Sequence, residues 1–206
     1  MSTDVAYPIF RSPDRNLALR VAWQMVAFGR QSYSDVSVDA TVPTLAEVKR
    51  LREALPDSWF TCWQGGMDAV PPADIPDLFR SVPARELPVD SPGLDEYLPL
   101  SVSMLDQPVG SIEDHFATVV GPYPAEIHWD SMCWPDVPER GLRGEANNAK
   151  VTLLLHCADR GLDIQADTHT VLVHVRRRNG DGYEDRFAQW LAEQIGQKVI
   201  GPPQHP

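Results

Sequence analysis

Two apolar runs and an amphipathic stretch near the end of the chain limit its fold more than any other feature. Lys150 to Cys157 reads as a strand with four large aliphatic residues, and a turn follows at Asp159, Arg160 and Gly161. Thr168 to Val175 reads as a second strand. Asp181 and Glu184 have capping-box spacing, and Tyr183, Phe187, Trp190, Leu191 and Ile195 fall on one helical face, with Gly196 at the C′ position. Val199 and Ile200 close the unit as a short exit strand. The helix stripe has to be buried, and the sheet made by the two strands is the nearest apolar surface. The pattern predicts a C-terminal strand-strand-helix-strand unit in an α+β fold, with a mostly antiparallel sheet and helices packed on one face.

The rest of the chain agrees with that class. Ser12, Pro13 and Asp14 open a helix over 13–29 that carries Leu17, Val21, Met25 and Phe28 and is closed by Gly29. Ser34 to Thr41 alternates weakly, as an edge strand does. Thr44 and Glu47 form a capping box ahead of the stripe Leu45, Val48, Leu51 and Leu55, and Pro56 ends that helix. Short strands are expected near 59–64, over 97–105 with Pro99 at an edge or bulge, and over 126–134. Short helices are expected over 73–82 and after Ser111. Many of the 19 prolines lie between residues 71 and 138, so loops within 71–148 should interrupt a single domain spanning 1–206.

Charge is distributed unevenly. The formal net charge is −11, yet residues 31–130 alone hold 5 Lys/Arg against 17 Asp/Glu. Such a field disfavours nucleic acid and anionic membranes, and it favours encounter with a basic protein. The first residues, Met1 to Asp4, have no basic or apolar leader pattern, and three irregularly spaced cysteines suit reduced thiols. A cytoplasmic location is expected from these features.

No phosphate loop, paired metal motif or nucleophile signature is present. His115, His128, Cys133, His156, Cys157, His169 and His174 are ligand types without ligand spacing, so neither metal nor cofactor is expected. His128 and Asp130, two apart, could share a strand face as a weak ligand pair. Arg176, Arg177 and Arg178 make a basic turn suited to internal pairing. The tryptophans fall partly in pairs, Trp59 with Trp63 and Trp129 with Trp134, and tryptophan is favoured both in cores and at binding hot spots.

The expectation from these observations is an acidic, bacterial-type protein-binding domain that occludes a basic partner. It has the general character of an inhibitor or immunity protein, an analogy of type that rests on no motif. The candidate partner-binding residues are Trp59, Trp63, Asp68, Asp74, Asp77, Asp95 and Glu96. The alternative, from a different class, is a small cysteine-dependent hydrolase or transferase. It would use Cys157 with His169 or His174 as the base, because His156 points to the opposite face of the strand from its neighbour.

Overall fold

Among the described residues, all of the strands belong to one antiparallel sheet, in the order β1-β8-β7-β6-β2-β5-β3-β4. In chain order the elements are β1 (Asp4–Ser12), α1 (Arg15–Gly29), β2 (Asp35–Val42), α2 (Leu45–Ala54), β3 (Trp59–Cys62) and β4 (Val82–Pro83). They continue with β5 (Leu100–Pro108), α3 (Glu113–Val119), β6 (Ala125–Trp134), β7 (Glu145–Leu155), β8 (His169–Arg176) and α4 (Tyr183–Gln194). The computed structural model describes residues 4–30, 32–62, 81–90, 93–162, 164–178 and 182–204. The α+β class and the antiparallel sheet are as the sequence predicts. Among the described residues no helix is long and apolar enough to cross a membrane.

Alternation along the strands sorts the sheet into two faces. One set comprises Val36, Val38 and Ala40 of β2, Ile127 and Trp129 of β6, Val151 and Leu153 of β7, and Val171 and Val173 of β8. It shares a single core with apolar residues of all four helices. The other set forms only a small buried cluster, Ala6, Leu154, Cys157 and Leu172, with Leu162 packed against it. Elsewhere that second face is mostly polar.

Local signals account for the helices. Asp14 caps α1 by accepting from Leu17 N, while Ser12 accepts from Asp14 N, so the cap lies two residues beyond the serine. Thr44 caps α2 by accepting from Glu47 N, while the Glu47 carboxylate accepts from Arg50. Gly29 ends α1 against an indole: a Cβ there would stand 2.5 Å from the Trp134 ring, so no larger residue fits unless the ring moves. Glu113 starts α3 and is fully buried, yet its carboxylate accepts from Gly110 N, Ile112 N and the Trp129 indole N–H. Three donors satisfy a group that would otherwise be costly to bury.

Several expectations need correction. The chain opens with β1, whose run through Pro8 does not read as a strand. Segment 34–41 does form a strand, but an interior one between β6 and β5. β5 is interior as well, and Pro99 lies just before it. β7 begins at Glu145, inside the stretch expected to be loop. The exit segment forms no strand of its own; Ile200 N donates to Pro8 O and Gln204 pairs with Ala6, which attaches the tail to β1. The helix expected over 73–82 lies almost wholly outside the described residues.

Candidate functional site

The polar part of the second face is built by β2, β6 and β7. The sequence Glu126-Ile127-His128-Trp129-Asp130 alternates, so that Ile127 and Trp129 enter the core while Glu126, His128 and Asp130 project outward. Register supplies the remaining groups. Asp39 lies opposite Glu126, Ser37 opposite His128, and Asp35 opposite Asp130. On the other side of β6, Thr152 lies opposite His128.

These side chains converge on the imidazole. His128 Nδ1 is 3.5 Å from Glu126 Oε1 and 4.0 Å from Asp39 Oδ2. Its Nε2 is 3.5 Å from Asp130 Oδ2, and the other oxygen of Asp130 accepts from Lys150 Nζ at 2.6 Å. Three carboxylates therefore share one ammonium and one imidazole, all partly exposed. The electrostatics follow from the packing. Burial is the largest influence on His128 and works against its charge, but the Glu126 hydrogen bond and the Asp130 and Glu126 charges outweigh it and raise its pKa. Burial pushes the Asp39 carboxyl up to about 6, with His128 opposing and Glu126 adding to the rise.

An aromatic side chain flanks this cluster. Across the strands one row reads Trp59, Ser103, Asp39, Glu126, because Trp59 pairs with Ser103, Ser103 with Asp39, and Asp39 with Glu126. Trp59 is 46% exposed while its neighbour Phe60 is buried. Leu105, at the bulge of β5, is exposed as well and continues the outward series of Ser101 and Ser103.

The other candidates fall elsewhere. Asp95 and Glu96 stand exposed on a helical turn before β5. Trp63, Asp68, Asp74 and Asp77 lie outside the described residues. Trp129 and Trp134 are core residues, with their indole N–H groups bonded to Glu113 and to His174 O.

The cysteine site has a different character. The Cys157 thiol is buried and donates to Asp159 O at 2.8 Å, and burial pushes its pKa up. His169 belongs to the helix-bearing face by alternation along β8. Its Nδ1 accepts from His156 N, its ring meets that of His156 at 4.5 Å, and burial lowers its pKa to about 4. His174 does share a face with Cys157, but it pairs with Lys150, seven positions back along β7, and its Nε2 contacts Thr152 Oγ1 at 2.9 Å. The geometry brings neither ring to the thiol.

Sequence reasoning identified His128 with Asp130 but missed Asp39, Glu126 and Lys150. The alternation from 126 to 130 was a readable signal, whereas Asp39 joins only through strand register. Compared with protein-family models, curated proteins and solved structures, the chain matches none.

Proposed function

We propose that this chain is a protein-binding domain that docks a basic partner on the open face of its sheet and acts by occlusion, as an inhibitor or immunity-type protein does. The observation that supports this reading is the row Trp59, Ser103, Asp39, Glu126. It sets an exposed indole two strands, about 10 Å, from the first of two adjacent carboxylates. Tryptophan beside incompletely neutralised acids on a rigid surface is suited to a partner that presents arginine or lysine around an apolar socket. Asp35, opposite Asp130, extends the negative field of this face, and the exposed Asp95 and Glu96 add negative charge that would help to steer the encounter. A polar, partly exposed sheet face suits a protein surface better than a small apolar substrate.

The test is capture from the native host with the wild-type chain, Trp59→Ala, and the double substitution Asp39→Asn with Glu126→Gln as baits. The reading expects a basic protein that wild type retains and high salt releases. Trp59→Ala should weaken its binding by about 2 kcal/mol, roughly thirtyfold. The double substitution should slow association about tenfold and flatten its salt dependence. If the captured protein binds all three baits with the same rate and salt dependence, docking on this face is wrong.

A further inference from the structure

The same cluster has a second property, independent of any protein partner. Asp39 Oδ2, Glu126 Oε1 and His128 Nδ1 come from two hydrogen-bonded strands, and one donor atom from each residue lies within 4.8 Å of the others. Neighbouring donors around a divalent transition-metal ion are about 3–4 Å apart, given metal–ligand distances near 2.0–2.2 Å. Small rotations of carboxylates that are already partly exposed close the difference. The set is mixed, two oxygens and one aromatic nitrogen, and it is held on a rigid sheet.

The far side of the imidazole faces a carboxylate close enough to serve as an outer partner. A ligating histidine usually donates its other ring N–H to a carboxylate, which fixes the tautomer and turns the lone pair to the metal. Here Asp130 faces Nε2 at 3.5 Å and is itself held by Lys150 at 2.6 Å. With the proton on Nε2, the Nδ1 lone pair points between Asp39 and Glu126. We propose that Asp39, Glu126 and His128 bind one divalent transition-metal ion of the zinc class, with Asp130 and Lys150 as positioning residues. Three protein ligands on an open face leave the remaining coordination positions to water. The nitrogen donor selects against magnesium and calcium, which prefer all-oxygen sites. The competing arrangement is an imidazolium held by the same three acids. Zinc must displace that proton, so the two states are distinguishable in solution.

The experiment uses metal-free full-length protein and zinc alone, so failure of the docking reading would not affect it. Calorimetric titration at pH 7.5 should saturate at one equivalent, with proton release seen by comparing buffers of different ionisation enthalpy. Asp39→Asn and Glu126→Gln should each weaken binding tenfold or more, and His128→Ala should abolish the saturable phase. Asp130→Asn should cost roughly tenfold. His115→Ala, at an exposed histidine away from the cluster, should change nothing. Long-range nitrogen–proton spectra of the wild type give a readout that needs no variant: zinc should shift His128 Nδ1 while Nε2 stays protonated, and the His156, His169 and His174 rings should not respond. A titration that does not saturate, undiminished binding by His128→Ala, or unmoved His128 resonances would overturn the site.

Discussion

His128 and His174 project from the same side of one sheet, two strands apart, and their environments drive them to opposite charge states. His174 is almost fully buried, contacts Thr152, and is held neutral by burial, with the positive charge of Arg160 adding to the effect. His128 lies among three carboxylates and keeps its proton more readily than usual. The strands do not differ in kind, but their cover does. Over β1, β8 and β7, Cys157 and Leu162 fold back on Leu154 and Leu172, and the tail joins this segment through Gln204 and Ala158. Over β6, β2 and β5 no described residue forms a comparable layer. One half of the face has become a second small core, and the other has stayed polar, without such a layer among the described residues.

The largest effect should come from opening the covered half. Leu172→Ala removes a fully buried side chain from a four-residue cluster and should cost about 3–5 kcal/mol in urea denaturation. Leu105→Ala, on the bare half, should change stability by less than about 0.5 kcal/mol. Similar costs at both positions would mean the two halves are covered alike.

A buried carboxyl sharpens the contrast with the exposed acids. Glu145 is 5% exposed, and one of its oxygens accepts from Arg176 N at 2.7 Å. Burial, only partly opposed by that bond and with Asp4 adding to the rise, pushes its pKa to about 7 from an ordinary 4.5. The native state therefore holds this proton more tightly than the unfolded chain, and stability falls as pH rises from about 4.5 to 7. Glu145→Gln keeps an acceptor and removes the titration. Relative to wild type it should gain up to about 3 kcal/mol between pH 4.5 and pH 8, read from paired denaturation curves.

How far the sequence discloses this arrangement depends on whether a feature is local. The caps of α1 and α2 and the glycine after α4 are legible because a few neighbouring residues decide them. β1 is not, because Val5 to Phe10 is apolar on both faces and Pro8 argues against a strand; only pairing with β8 and the tail explains it. The weak alternation of β2 suggests an edge, yet Ser37, Asp39 and Thr41 lie on the polar face of the sheet while Val36, Val38 and Ala40 enter the core. Cys157 and His169 look like partners until alternation along β8 places them on opposite sides of the sheet. Asp39 and Glu126 are far apart in sequence, and register alone joins them.

His174 and His169 predict the sign of the acid response. Both are depressed, so each remains neutral in the fold while the unfolded chain takes up a proton near pH 6.5. Stability from each is complete above that value and declines as pH falls, by up to about 1.4 kcal/mol per pH unit per group. His174→Gln should remove one such slope, and a variant with the wild-type slope would show that the ring is already charged.

The smallest effect belongs to the bare half and bears most directly on the comparison. His128 has the opposite sign: its raised pKa contributes stability that is complete below pH 6.5 and is lost as pH rises through the folded value. Its partners are partly exposed and screened by solvent, so His128→Gln should cost less than about 1 kcal/mol at pH 6 and less still at pH 9. Ring-proton titration in the presence of a chelator should show His128 gaining its proton above pH 6.5 and His174 remaining neutral well below that pH. If both rings titrate together, the cover of the sheet does not set their charge, and the bare half loses its claim to be the part of the face kept for a ligand.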